Sequence, residues 1–174
     1  MNRVKRILVW LSRMFHCRGF GIQSPTDYAF VRYVINEHWP YYAYQELHEL
    51  ANDWLTRKLG YLYFRLANWR QPLMIQKDEY ESFWKAGCRR IILTENPDKV
   101  ELARFDIHEK NAIATIYNKV DSHSVVVIER IYQNWDLWHE IEHDSRTGTT
   151  FDLYYCGIVF FDLNRHKKNY KVNF

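Results

Sequence analysis

The chain predicts an α/β fold: a mostly parallel sheet that closes on a C-terminal antiparallel hairpin and is preceded by a helical segment. Three observations carry this. Val125-Val126-Val127-Ile128 is an uninterrupted β-branched run, as expected of a strand covered on both faces. Short apolar runs before it alternate with helix-period stretches, which argues for parallel strands joined by right-handed crossovers. After it, two strand-like segments near Thr150–Tyr154 and Ile158–Phe161 follow one another with no helix between them, which argues for an antiparallel pair.

The elements follow in order. Residues 2–16 read as a basic amphipathic helix. Val4, Ile7, Leu8, Leu11 and Phe15 fall on one stripe, and Arg3, Lys5, Arg6 and Arg13 on the other side. Docking of that apolar stripe on its own domain is expected, with an anionic membrane surface as the remoter use. Arg18-Gly19-Phe20-Gly21 breaks the helix. Ser24-Pro25-Thr26-Asp27 starts the next, with Ser24 as cap, Pro25 in the first turn, and Tyr28, Val31, Val34 and Ile35 as its apolar face. Pro40 ends it. A third helix is expected over Tyr42–Lys58 and a fourth over Tyr61–Trp69. Leu73-Met74-Ile75 is the first strand. Glu79–Ala86 is a helix with Tyr80, Phe83 and Trp84 inward and Gly87 as its stop. Arg90–Thr94 is the second strand and Leu102–Ile107 the third, although its alternation is imperfect. Helices over Lys110–Val120 and Asn134–Asp144 flank the central strand, and a last strand is expected at Tyr170–Asn173.

Composition narrows the class. The 174 residues suit one domain, long enough to bury roughly 70% of its unfolded surface without a metal or disulfide. Hydrophobic residues make up 47% and aromatics 17%, which excludes a disordered chain. The net charge of +3 comes from the stretch before Asp27, which holds five Arg and Lys and no acid, so the remainder is slightly acidic and no nucleic-acid-binding domain is implied. Cys17, Cys88 and Cys156 are widely separated and form no CxxC pair, which fits a reducing, cytoplasmic home. The apolar run Ile7–Leu11 is too short for a signal-peptide core or a membrane span.

Two signatures then carry a resemblance. One is Arg18-Gly19-Phe20-Gly21-Ile22-Gln23-Ser24-Pro25 followed by Tyr41-Tyr42-Ala43-Tyr44. The other is Thr150-Phe151-Asp152-Leu153 with Gly157-Ile158-Val159-Phe160-Phe161-Asp162. With the strand order they resemble class I S-adenosylmethionine-dependent methyltransferases, in particular the Bacteroidetes-type group with an N-terminal helical extension. The resemblance covers residues 15–72 and 122–174. It implies a Rossmann-like sheet over 71–174, a helical extension over 1–70 packed with it as one unit, and S-adenosylmethionine as cofactor.

The middle departs from that pattern. The family turns sharply around its cofactor on a glycine-rich loop after the first strand, where backbone must approach the ligand. None of the 6 glycines stands there, and the loop reads Gln76-Lys77-Asp78-Glu79-Tyr80. Only the 29 residues 96–124 separate Glu95 from the central strand, room for one strand and one helix, where the family has two βα units. A shortened sheet is therefore expected, with an exposed edge that a second copy or another protein could cover.

The resemblance assigns cofactor contacts by position. Glu95 ends the second strand, where the family's acid binds the ribose hydroxyls. Asp106 and His108 lie near the end of the third strand, where the family often shows an acid and a His, and Glu129 with Arg130 ends the central one. All lie at the carboxyl edge, where open α/β sheets hold their ligands, although charged residues also end strands for solvation alone.

His139-Glu140-Ile141-Glu142-His143 matches H-E-x-x-H, in which two His one turn apart bind zinc beside a general base. A solvated helix face with Trp135, Trp138 and Ile141 inward accounts for it better, so no metal is expected. The expected function is a methyltransferase-like protein that has lost S-adenosylmethionine and catalysis and acts as a binding or regulatory module. The alternatives are an active methyltransferase with a rebuilt cofactor site and, remotely, a zinc-binding protein.

Overall fold

The structure, a computed structural model, describes residues 3–174. Seven strands form one sheet in the order β2-β1-β3-β4-β6-β5-β7. They are β1 (Met74–Gln76), β2 (Ile92–Thr94), β3 (Leu102–Asp106), β4 (Val125–Glu129), β5 (Thr150–Asp152), β6 (Cys156–Phe160) and β7 (Asn169–Lys171). β2, β1, β3 and β4 run parallel, and β6 is antiparallel to both β4 and β5. β7 then adds parallel to β5. This is the predicted α/β, Rossmann-like arrangement. β4 lies in the middle of the order with all five residues buried, as its composition requires.

Alternation along the strands divides the core between two faces. Leu102, Val125, Val127, Ile158 and Phe151 pack with the N-terminal helices in one cluster. Ala103, Phe105, Val126, Ile128 and Val159 pack with α6 (Lys110–Ile116) and α7 (Trp135–His143) in the other. The first cluster takes in α2 (Pro25–Phe30), α3 (Ala43–Glu49), α4 (Trp54–Arg70) and α5 (Glu81–Gly87), so residues from the N-terminal segment and from the sheet share one core. Gly157 lets α7 lie close on the second face, because a Cβ there would meet the Trp138 ring.

Several boundaries correct the sequence reading. The expected third and fourth helices over 42–58 and 61–69 are divided differently, by Asp53. Its carboxylate accepts the amides of Leu55 (2.7 Å) and Thr56 (3.3 Å) and starts α4, which then runs unbroken through Gly60 to Arg70. Gly60 is no breaker; a Cβ there would come within 2.5 Å of the Phe83 ring. Gly87 ends α5 as expected, and it also serves close approach, since a Cβ there would meet the Phe64 carbonyl. The left-handed residue that ends a helix is Gln71, φ 50°. Ser24 caps α2 as expected, accepting Asp27 N at 3.3 Å, and the helix runs on into a wider π-type turn over Val31–Ile35.

The largest correction concerns the first helix. α1 (Arg3–Ser12) ends earlier than the expected residue 16, its expected start at residue 2 lying outside the described residues, and it docks through its polar side. The Arg6 guanidinium lies 4.5 Å from the Trp54 ring centre, and Val9 reaches the core. The apolar stripe faces out instead: Val4 is 64% exposed, Leu8 60% and Phe15 74%. Arg13 lies beyond the helix, buried against the sheet.

The short middle has a structural counterpart. Residues 95–101 join β2 to β3 and carry no helix. A parallel crossover ordinarily takes a dozen or more residues; here a short connection of bends replaces it. β2 is left as an edge strand with Ile92 61% exposed. Among the described residues no helix is long and apolar enough to cross a membrane.

Candidate functional site

The strand order reverses at β1: β2 lies on one side of it and β3 on the other. In open α/β sheets that switch point, at the carboxyl ends of the strands, is where ligands sit. β1 and β3 are paired only at Ile75 and Leu102, so the strands part above that pair and leave a gap between the Gln76–Tyr80 loop and the upper half of β3.

Arg104 occupies that gap. It shares its side of β3 with Leu102, which packs in the α4/α5 core, and its guanidinium stacks 5.0 Å from the Tyr80 ring centre. Its Nε donates to Glu129 Oε1 at 2.9 Å, and a second nitrogen reaches Glu129 Oε2 at 3.4 Å and Glu79 Oε1. Glu129 is buried on β4 and also accepts the Tyr63 hydroxyl from α4. The Tyr63 ring stacks on Trp84 at 4.7 Å and meets the Tyr80 ring edge-on at 4.7 Å. Asp78 closes the other end, accepting Trp84 Nε1 at 2.9 Å and Tyr80 N at 2.8 Å through one oxygen. Arginine, three carboxylates, two tyrosines and a tryptophan thus fill the space above β1 with groups bonded to or stacked on one another.

The electrostatics follow from burial. Burial, with the adjacent Glu129 charge, raises the hydroxyl pKa of Tyr63 and of Tyr80, so both stay protonated and Tyr63 remains a donor. Burial opposes the charge on Arg104, but its hydrogen bond and attraction to Glu129 outweigh that and raise its pKa. Burial also raises the Asp78 carboxyl.

The four sequence-predicted positions separate. Glu129 belongs to the Arg104 network. Asp106 is buried at the end of β3, accepts His108 N at 2.9 Å and pairs with Arg130. Arg130 holds a left-handed backbone, φ 58°, immediately after β4. His108 points away to Gln133, Nε2 to Oε1 2.7 Å. Glu95 stands apart, its side chain 85% exposed and 3.8 Å from Lys77 Nζ. Asp106, Glu129, Arg104 and Arg130 therefore share the carboxyl edge of β3 and β4, while Glu95 does not join them. Arg104, Tyr63 and Tyr80 escaped the sequence reading of the site. The available signal was a cation in the middle of an otherwise apolar strand.

The H-E-x-x-H segment lies on α7. His139 Nδ1 is 2.7 Å from Glu142 Oε2, and His143 Nδ1 is 2.7 Å from the His139 carbonyl. Asp152 on β5, which shares a surface cleft with His139 and Glu142, is held by Arg13. No group of three or more His, Cys, Asp or Glu able to hold a metal ion occurs among the described residues.

Compared with protein-family models, with curated proteins and with solved structures, the chain matches none.

Proposed function

We propose that this protein is a methyltransferase-like binding or regulatory module that no longer uses S-adenosylmethionine. The observation that carries this reading is Arg104. In a Rossmann-like sheet the cofactor would enter above β1, and there Arg104 is bonded to Glu129 and Glu79 beneath a loop without glycine. A nucleoside would have to displace a guanidinium from a buried carboxylate, at a cost of several kcal/mol. Side chains of Lys77, Asp78 and Glu79 stand where a glycine backbone would admit the ligand. The resemblance noted in the sequence supports the fold side of the reading, and the filled crevice supports loss of the chemistry. Titration calorimetry with S-adenosylmethionine and S-adenosylhomocysteine tests it. No heat beyond dilution is expected up to millimolar ligand; micromolar binding overturns the reading in favour of an active, rebuilt site.

A further inference from the structure

A second part of the molecule has the composition of a ligand site, and it is independent of the β1/β3 crevice. A cavity of about 680 Å³ lies between α1, α4 and the C-terminal residues. Arg3, Arg6, Arg18 and Lys58 line it, and no Asp or Glu side chain does. Two of these cations rest on aromatic faces: Arg6 lies 4.5 Å from the Trp54 ring centre, and Lys58 Nζ lies 4.2 Å from that of Phe174. Asn36 also lines the cavity, and its Nδ2 is buried with no hydrogen-bond partner among the described residues. A buried donor left unpaired is costly, and an acceptor entering the cavity would relieve it. Burial, and then the Arg65 charge, bring the Lys58 ammonium down to about 8, as expected of a cation waiting for a counter-charge.

The apolar side of the cavity is continuous with the uncovered stripe of α1. Ile7 lines the cavity and is also an exposed member of that stripe, beside Val4, Leu8 and Leu11, and the exposed Trp10 lines the cavity from the neighbouring side of the helix. A free phosphate would use the cations and leave the stripe bare. An apolar ligand would use the stripe and leave the cations unanswered. One chemistry answers both.

We infer that this cavity binds an anionic amphiphile, its head between Arg6, Arg18, Lys58 and Asn36 and its apolar part along Ile7, Trp10 and the outer face of α1. The head is a phosphate or a carboxylate, carried either by a free amphiphile or by a membrane lipid.

Calorimetry with dodecyl phosphate, below its micelle concentration, tests the site on the full chain. Saturable binding to one site is expected, with inorganic phosphate and dodecyl maltoside both far weaker. Lys58→Met and Arg6→Gln are each expected to lower affinity about ten- to hundredfold, as for a lost charge-assisted hydrogen bond. Arg18→Ala, at an exposed position, gives a variant whose folding is not at issue, and it is expected to weaken binding in the same direction. Equal affinity for dodecyl phosphate and dodecyl maltoside would overturn the proposal, as would full affinity in the Arg6→Gln/Arg18→Ala pair. Flotation with phosphatidylglycerol against phosphatidylcholine vesicles separates the two sources. Capture by the anionic vesicles alone assigns the ligand to a membrane, and binding of monomeric dodecyl phosphate without vesicle capture assigns it to a free amphiphile.

Discussion

Replacing Arg104 by alanine is expected to destabilise the protein by about 3–5 kcal/mol, because it strips a buried carboxylate of its counter-charge. Glu129 would keep only the Tyr63 hydroxyl, in a pocket walled by Trp84 and Tyr80. The exposed partner Glu79 matters far less, by about 0–1 kcal/mol, since water screens it. The charge pair as a whole is a different matter. Removing both ends together, as Arg104→Met with Glu129→Gln, is expected to return most of the loss, because apolar and neutral groups of similar volume avoid the desolvation that the ions suffer. Urea unfolding of the unaltered protein, Arg104→Met, Glu129→Gln and the double variant measures the coupling. A single Arg104→Ala cost below about 1 kcal/mol would show that the guanidinium does not belong to a buried network.

The second large effect is expected at Arg13. Its Nη2 alone approaches both Asp152 carboxylate oxygens, at 2.8 Å each, while its Nη1 donates to the Asp152 carbonyl at 2.9 Å. A longer bond reaches the Val172 carbonyl at 3.2 Å. One side chain thus ties the end of α1 to β5 and to the chain beyond β7. Arg13→Ala is expected to cost about 3–5 kcal/mol by orphaning Asp152. Arg13→Lys keeps the charge but loses the planar fork, so it should recover only part of that. Hydrogen exchange separates global from local loss: faster exchange in residues 3–20 ahead of the β4 and β6 core is the expected pattern. Unchanged stability and exchange would mean that the N-terminal segment is held by other contacts. That segment also carries the proposed amphiphile site, so the Arg13–Asp152 pair fixes one wall of it.

Much of the sheet was legible because its strands are of the type that sequence marks best. Val125–Ile128 reads as doubly covered, and Cys156–Phe160 beside it reads as the second half of a hairpin; both were placed within a residue or two. The short linker 96–124 also read correctly as room for one strand and one helix. The helical third was harder. Tyr42–Lys58 contains no proline or glycine, and the break at Asp53 comes from a side chain capping two amides, which competes with helix propensity invisibly in a periodicity count. Gly60 lies between two expected helices in the sequence and in three dimensions sits inside one, close against Phe83, whereas Gly87 ends α5 as read and also lies close to Phe64.

The inversion of α1 had a different cause. Periodicity finds an apolar stripe but not which side meets the protein. Arg13 and Arg6 find a buried carboxylate and an indole face on the domain, and those contacts outweigh burial of Ile7 and Leu8. The site was half legible. Glu129 and Asp106 were visible as acids ending strands, but their partners were not. The imperfect alternation of Leu102-Ala103-Arg104-Phe105-Asp106 was the trace of the missing part: Ala103 and Phe105 keep the apolar face, and Arg104 stands on the other because Glu129 on β4 waits for it. A lone cation in a buried strand asks for a buried acid one strand away.

The central claim is that Arg104, bonded to Glu129, closes the space above β1 where a cofactor would enter. A crystal structure grown in millimolar S-adenosylhomocysteine tests it most directly. The account predicts the Arg104 guanidinium seated between Glu129 and Glu79 over the Tyr80 ring, with no nucleoside density above Ile75. Arg104 swung outward, with the nucleoside resting on the Gln76–Tyr80 loop and its ribose on Glu95, would contradict it.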